Sequence, residues 1–177
     1  MTATAHIALG SNLGNRLELL QSAINTLHNH DDISVERVSS VFESPAHVRP
    51  GSPAQPSYLN AVALITTVLD PEELLKACLQ IETQHGRIRT NEASWEARTL
   101  DLDLLNWDQL AFSSDRLQLP HPRIDERRFV LLPFSEIDPN LKLPSPYNRS
   151  VEYLLSHCVD MVPTTKTSIV LTIPRRG

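Results

Sequence analysis

Glycine is scarce in this chain, with five residues in 177, at positions 10, 14, 51, 86 and 177. Their spacing allows neither the G-x-x-x-x-G-K phosphate-binding loop nor the glycine-rich loop of protein kinases. If the protein uses a nucleotide, it therefore holds the phosphates by another architecture.

Other scarcities exclude further classes of protein. The two cysteines, Cys78 and Cys158, are too few for a disulfide framework. No apolar run is long enough to span a bilayer, and the N-terminal segment lacks the pattern of a secretion signal. A formal net charge of -5 argues against general attraction to nucleic acid or to anionic membranes. We expect one cytoplasmic, monomeric domain over residues 1–177, with no nucleic-acid or membrane partner.

Lysine is also scarce, since only three of the 16 basic residues are lysines and the others are arginines. Many of these arginines lie between Arg87 and Arg128. Arginine presents a planar fork of donors that matches the geometry of phosphate and carboxylate groups. Genome composition would explain the total count, but the clustering favours a site that binds anions.

What the chain does contain is a regular succession of strand and helix patterns. Apolar residues at helical spacing predict amphipathic helices over Arg16–Leu27, with Asn12 or Asn15 as its cap, and from Pro71 to about Gly86. Apolar runs predict strands over Ile7–Leu9, Ile33–Phe42, Tyr58–Leu69 and Arg98–Leu105. The order β-α-β-β-α-β indicates an α+β, ferredoxin-like core with a mainly antiparallel sheet and helices packed on it.

The remaining segments predict additions to this core. Residues 43–57 are rich in proline and are expected to form a long irregular loop. A helix is predicted from about Asp125 to a proline turn at Pro133, and another over Val151–His157. Residues 168–174 are either one more strand or an ordered extension.

The stretch RTLDLDLL, residues 98–105, places two aspartates in an otherwise apolar strand. Alternation points Leu100, Leu102 and Leu104 into a core. It puts Asp101 and Asp103 on the opposite face, with Cα atoms about 6.6 to 6.8 Å apart. Such carboxylates repel unless a cation compensates them, and hard oxygen ligands favour Mg²⁺ or Mn²⁺ over zinc. The pair therefore indicates a phosphoryl-transfer site, although an exposed edge strand with two solvated aspartates has the same pattern.

Five segments together resemble one known family. They are GSNLG, SPA with QPSYLN, IETQHGRIR, RTLDLDLL and LPHPRIDERRFVLLP, in this order. The same series is typical of 6-hydroxymethyl-7,8-dihydropterin pyrophosphokinase, and the resemblance covers residues 7–139, leaving a C-terminal extension from about residue 150. It implies a ferredoxin-like fold and Mg²⁺-dependent transfer of the pyrophosphoryl group of ATP to the hydroxymethyl group of the reduced pterin, with release of AMP.

The resemblance also implies roles for individual residues. Asp101 and Asp103 are similar to the ligands of two Mg²⁺ ions, and Arg87 and Arg98 to catalytic arginines that neutralise the phosphates. ATP-binding positions are implied for Glu82, Arg89, Trp95, Arg98, Leu104, Arg116, His121 and Arg127. Pterin-binding positions are implied for Ser44, Pro45, Ala46, Tyr58, Asn60, Trp95, Asp101 and Phe129.

Two other classes of function are compatible with parts of the sequence. A metal-dependent phosphohydrolase or nuclease would use the same D-x-D pair, but it would need a general base or further carboxylate ligands nearby. A ferredoxin-like module without catalytic activity would leave the strand aspartates and the loop arginines without a role.

Overall fold

A computed structural model describes residues 2–46, 53–87 and 97–175 of the chain. Its helices and strands follow one another along the chain with short connections. They are β1 (Ala3–Ser11), α1 (Arg16–His28), β2 (Ile33–Val38), β3 (Phe42–Ser44), β4 (Tyr58–Thr67), α2 (Pro71–Gln84), β5 (Asp101–Trp107), β6 (Phe112–Ser113), β7 (Gln118–Leu119), α3 (Arg128–Ile137), α4 (Val151–Ser156) and β8 (Thr165–Lys166).

The main sheet is antiparallel and has the strand order β5-β1-β4-β3-β8, with β2 also paired to β4. β2 and β3 lie end to end along β4 and together fill one position of the sheet. With the two counted as one, β1, α1, β2/β3, β4, α2 and β5 form the βαββαβ unit of the ferredoxin-like fold. The predicted fold class is confirmed.

The prediction of one continuous strand over residues 33–42 is wrong, because the chain breaks at Ser39. The Ser39 hydroxyl accepts the Val62 N–H at 2.9 Å, where a strand would offer a backbone carbonyl. Val38 pairs with Ala63 and Phe42 with Asn60, so three residues on this side oppose two on β4. The extra residue interrupts the ladder and separates β2 from β3.

Each face of the sheet carries its own core. α1 and α2 cover one face, where Ile7, Leu9, Leu100, Leu102 and Leu104 are buried, as the alternation in the fifth strand predicts. α3 and α4 pack on the opposite face around residues that include Ile124, Val130 and Phe134. The two aspartates of β5 lie on this second face, beyond the part that α3 covers.

Three boundaries differ from the predictions for physical reasons. β1 extends through Gly10 to Ser11, so that glycine is part of a strand and not a turn after it. β5 begins at Asp101, because the Arg98 backbone instead bonds to Asn12. α3 begins at Arg128 and not near Asp125, and it continues past Pro133 to Ile137. The helix tolerates the proline, an interior penalty of about 3 kcal/mol, because its apolar face is buried against the sheet.

The C-terminal residues are an ordered extension and only briefly a strand. β8 pairs with β3, and Lys166 forms an ion pair of 2.6 Å with Glu136 of α3. Leu171 is buried in the core on the α1 side, and Thr172 exchanges hydrogen bonds with Gln21 of α1. In the described ranges, no helix has the length and apolar character needed to cross a bilayer.

Helix α2 has a complete capping box at its N-terminus. The Asp70 carboxylate accepts the Glu73 N–H at 2.9 Å, and the Glu73 carboxylate accepts the Asp70 N–H at 2.9 Å. These two bonds satisfy donors that would otherwise have no partner within the helix.

We expect Asp70→Ala to lower the free energy of unfolding by about 1 kcal/mol, because it removes one half of this box. Urea denaturation measures the change. Asp115→Ala, at an exposed turn outside any helix, is the matched control and should change stability by less than about 0.5 kcal/mol. Equal stability of the two variants would contradict the assignment of the cap.

Candidate active site

The register of three strands places a row of residues side by side on one face of the sheet. Gly10 of β1 pairs with Asn60 of β4 and with Asp101 of β5. Two residues earlier, Ala8 pairs with Asp103. Because directly paired residues of an antiparallel sheet project to the same face, Asn60 and both aspartates share it. Gly10 and Ala8 add little bulk, so a hollow remains between the two flanking strands.

This hollow is the floor of a cavity of about 260 Å³. One wall of the cavity carries aromatic and neutral polar groups, and the other wall is charged. The first wall contains Ser44, Pro45, Tyr58, Asn60 and Phe129. The second wall contains Arg87, Arg98, Asp101, Asp103, Arg123, Glu126 and Arg127.

Asp101 is held by arginines from two sides. Its Oδ2 accepts a hydrogen bond from Arg98 at 2.9 Å, and its Oδ1 accepts one from Arg87. Arg87 also donates to Glu82, whose side chain is 1% exposed. Arg87 therefore lies between two carboxylates, and its guanidinium compensates part of the charge of each.

Asp103 has its own set of cations. Its Oδ2 accepts a hydrogen bond from Arg127 at 2.8 Å and lies 3.8 Å from Nε2 of His121. Burial acts to raise the pKa of this carboxyl, but His121, Arg127 and Arg98 outweigh it and hold the pKa below its usual value. The carboxylates that the sequence places side by side are thus both compensated by arginine.

His121 is oriented so that Nε2 faces the charged wall. Its Nδ1 accepts the backbone N–H of Arg123 at 3.1 Å, which leaves Nε2 to carry the proton in the neutral ring. Burial lowers the pKa of His121, even though the charge of Asp103 acts to raise it. The His121 backbone N–H bonds to Leu105 of β5 at 2.8 Å, and this bond ties the segment to the sheet.

On the neutral wall, Ser44 fixes the orientation of Asn60. The Asn60 amide Nδ2 donates to the Ser44 hydroxyl at 3.0 Å, and both side chains are buried. The carbonyl Oδ1 of Asn60 is turned toward Gly10 and the cavity floor. Asn60 therefore offers the cavity an acceptor, while Tyr58 and Phe129 offer it aromatic surface.

Comparison with known proteins identifies the family. Residues 6–139 match the model of the 7,8-dihydro-6-hydroxymethylpterin-pyrophosphokinase family. The chain is 42% identical over 137 residues to 2-amino-4-hydroxy-6-hydroxymethyldihydropteridine pyrophosphokinase of Bacillus subtilis, covering 77% of this chain and 79% of that one. It is 39% identical over 143 residues to the protein of the same name from Haemophilus influenzae, covering 80% and 86%. The chain belongs to this pyrophosphokinase family. It is accordingly a transferase.

Solved structures of related fold agree with the topology. The chain resembles an HPPK-DHPS protein crystallised with substrates, with a TM-score of 0.69 and 12% identity. It also resembles Plasmodium falciparum HPPK-DHPS with pterin and p-hydroxybenzoate, with a TM-score of 0.68 and 13% identity. It covers 43% of each of those chains, and 88% and 89% of its own length is aligned. At this identity the likeness concerns the fold alone.

Most of the residues that the resemblance to the pyrophosphokinase family implies lie together around the cavity. Those that line it are Ser44, Pro45, Tyr58, Asn60, Arg87, Arg98, Asp101, Asp103, Arg127 and Phe129. Ala46 follows the lining residue Pro45, and His121 contacts the cavity through Asp103. Arg89 and Trp95 lie outside the described residues, so their implied roles stay predictions.

Three implied ATP-binding residues do not line the cavity. Glu82 lies behind the charged wall, where its Oε1 accepts the Leu102 N–H at 2.8 Å and a bond from Arg87. Its position supports Arg87 and β5. The side chain of Leu104 is buried in the core, so only its backbone is available to a ligand. Arg116 is exposed in the turn between β6 and β7. Contacts of all three with ATP stay predictions.

The sequence interpretation missed four residues of the cavity. Ala8 and Gly10 form its floor, and Arg123 and Glu126 form an ion pair of 2.9 Å at the charged wall. A glycine inside a strand often marks a place where a ligand or another chain approaches closely, and that signal was available for Gly10. For Arg123 and Glu126, no sequence signal distinguishes them from solvent-exposed charges.

The donor set fits magnesium better than a metal held by protein alone. Within residues 2–46, 53–87 and 97–175, no group of three or more His, Cys, Asp or Glu side chains is placed to hold a metal ion. Asp101 and Asp103 provide carboxylate oxygens on one face of β5. Mg²⁺ usually takes one or two carboxylates and leaves its other positions to water and phosphate oxygens. The two aspartates are therefore suited to Mg²⁺ that arrives with a phosphate ligand.

We expect Arg127→Gln to raise the pKa of the Asp103 carboxyl toward that of a free aspartate, about 3.9, because the variant removes a neighbouring cation. The depressed pKa of Asp103 in the folded protein contributes stability above the unfolded-state pKa, and that contribution is lost as the pH falls through the folded-state pKa. The acid limb of the stability curve should therefore become shallower in the variant.

Carboxyl-carbon NMR titration of Asp103 measures the pKa directly. Arg116→Gln removes an exposed arginine outside the cavity and serves as the control, with no change in the Asp103 pKa. A pKa that is the same in Arg127→Gln and in the wild type would show that the ion pair does not hold Asp103 ionised.

Proposed function

We propose that this protein transfers the β,γ-pyrophosphoryl group of ATP to the hydroxymethyl group of 6-hydroxymethyl-7,8-dihydropterin in folate biosynthesis. The observation that carries the proposal is the row formed by Asn60, Gly10 and Asp101, which joins a neutral wall to a charged wall in one cavity. A ring held on the first wall lies beside phosphates held on the second. Family membership supports the same reaction. We further propose that the chain acts as a cytoplasmic monomer with a single domain.

The neutral wall is suited to a flat heterocycle with hydrogen-bonding edges. Phe129 and Tyr58 provide aromatic surface for stacking. Because the Asn60 amide nitrogen is engaged by Ser44, its Oδ1 is the group that accepts a ring N–H. This arrangement selects a ligand with a donor edge on the side of β4.

The charged wall is suited to a triphosphate. Arg87, Arg98 and Arg127 each donate to a carboxylate in the unliganded protein. When phosphate oxygens enter, these guanidinium groups exchange a carboxylate partner for a phosphate partner, and charge-assisted bonds are kept throughout. The Nε2–H of His121 adds a neutral donor at the same wall.

Two Mg²⁺ ions complete the proposed site. Asp101 and Asp103 would hold them, and when bound they neutralise phosphate charge and help to orient the oxygens of the polyphosphate. The release of both carboxylates from their arginines makes them available as ligands. The same exchange therefore prepares both the arginines and the aspartates for their roles.

In the proposed reaction the hydroxymethyl oxygen forms a bond to the β-phosphorus of ATP. The bond from that phosphorus to the oxygen bridging the α-phosphate breaks, and AMP leaves with that oxygen, while the hydroxyl proton is lost. This chain contributes position and charge and forms no covalent intermediate: the neutral wall orients the acceptor, and the arginines stabilise charge that develops on the phosphates.

Asp101→Ala should reduce turnover by at least about 100-fold, because it removes a metal ligand and the partner of two arginines. The assay mixes the protein with ATP, Mg²⁺ and the reduced pterin and measures AMP. Asp115→Ala, an exposed aspartate far along the chain from the cavity residues, should keep the wild-type rate. Near-normal turnover by Asp101→Ala would disprove the metal assignment.

The products also separate the proposed function from its alternative. AMP that forms only when the pterin is present supports the transferase. ADP or inorganic phosphate formed without pterin would instead favour a phosphohydrolase.

Gly10→Ala should raise the KM for the pterin about tenfold and leave the KM for ATP nearly unchanged, because a small clash in a pocket costs about 1–3 kcal/mol. The new methyl group would lie 3.6 Å from Tyr58, 3.7 Å from Asn60 and 3.9 Å from Asp101, which are ordinary contacts that permit folding. Steady-state kinetics with each substrate varied in turn measures both constants. An unchanged pterin KM would show that the pterin does not reach the cavity floor.

A further inference from the structure

Asn12 is a buried polar residue that the proposed mechanism leaves without a role. It follows β1 directly and is 1% exposed. It does not cap α1, since the side chain that accepts from the first turn of that helix is Asn15. A buried amide in a loop needs partners for its donor and its acceptor, and the partners of Asn12 come from both walls of the cavity.

The acceptor side of Asn12 holds Arg98. The Asn12 Oδ1 accepts the Arg98 N–H at 2.7 Å, and the Asn12 N–H donates to the Arg98 carbonyl at 3.2 Å. These two bonds fix the backbone from which the Arg98 side chain reaches Asp101. The same guanidinium forms a side-chain hydrogen bond with Tyr58.

The donor side of Asn12 holds the segment that leads into β4. The Asn12 Nδ2 donates to the Pro56 carbonyl at 3.2 Å and to Oε1 of Gln55 at 3.4 Å. Pro56 lies two residues before Tyr58, which lines the neutral wall. The planar amide of Asn12 therefore spans the distance between an arginine of the charged wall and the start of the strand that carries the neutral wall.

We infer that Asn12 is a positioning residue for pyrophosphoryl transfer, which sets Arg98 relative to Tyr58 and so aligns the phosphate donor with the hydroxymethyl acceptor. The inference rests on the proposed function. A primary amide is the side chain that offers one acceptor and one donor on the same rigid group at this reach. An error of about 1 Å in such alignment can cost on the order of 100-fold in rate.

Two variants separate the two links. Asn12→Asp keeps an oxygen for the Arg98 N–H but places an oxygen against the Pro56 carbonyl, so it breaks the neutral-wall link alone. Asn12→Ala breaks both. The matched control is Asn15→Ala, which removes the α1 cap three residues away and lowers stability without contact to Arg98 or Pro56.

Kinetics and amide exchange are measured on all three variants and the wild type, at equal temperature. We expect Asn12→Asp to raise the pterin KM about tenfold and to leave the ATP KM within about threefold, and Asn12→Ala to lower kcat about 100-fold. In the unliganded proteins, hydrogen exchange of the Arg98 amide should stay slow in Asn12→Asp and become faster in Asn12→Ala. Asn15→Ala should lower the Tm and leave kcat and both KM values unchanged.

Asn12 variants that lower the Tm with wild-type kcat and KM values would overturn the inference and make the residue structural only. Equal kinetic losses in Asn12→Asp and Asn12→Ala would also overturn it, because the two links would then not be separable. If Asn12→Ala does not fold, the pterin KM of Asn12→Asp and its Arg98 exchange rate decide alone. A wild-type chain that forms no AMP from ATP and pterin would instead disprove the proposed function, so the two failures are distinguishable.

Discussion

The pairing of Gly10 with Asn60 on one side and Asp101 on the other is the constraint on which the site depends. It places a neutral hydrogen-bonding group and a metal-binding carboxylate on the same face of the sheet, separated by one strand without a side chain at that point. Everything else in the cavity is arranged around this row. A shift of one residue in either ladder would turn Asn60 or Asp101 toward the α1–α2 core and remove the site.

Charge compensation within the cavity explains how the fold tolerates two aspartates in a strand. Asp101, Asp103 and Glu82 are matched by Arg87, Arg98 and Arg127, so three carboxylates meet three guanidinium groups. The arginines thus take the place of the cation that the sequence demands between the aspartates. Because the same groups are suited to phosphate and to Mg²⁺, ligand binding replaces one set of charge-assisted bonds by another and leaves no bare charge.

Much of the fold and the membership of the site follow from local patterns. Periods of two and 3.6 residues predict the helices and strands of the βαββαβ core, and ten of the implied site residues line one cavity. The failures have a common cause in contacts between distant segments. Ser39 ends β2 because its hydroxyl bonds to Val62, and α3 continues past Pro133 because the sheet buries its apolar face. Neither partner is visible from the neighbouring sequence.

The sequence by itself determined that Asp101 and Asp103 share one face and that Leu100, Leu102 and Leu104 face the core, since alternation is a property of the single strand. Tertiary structure alone decided which residues meet them. Arg127 reaches Asp103 across 24 positions, and Asn12 reaches Arg98 across 86. The physical reason is that register is set by hydrogen bonds between strands that are far apart in the chain, so no local pattern encodes which side chains become neighbours.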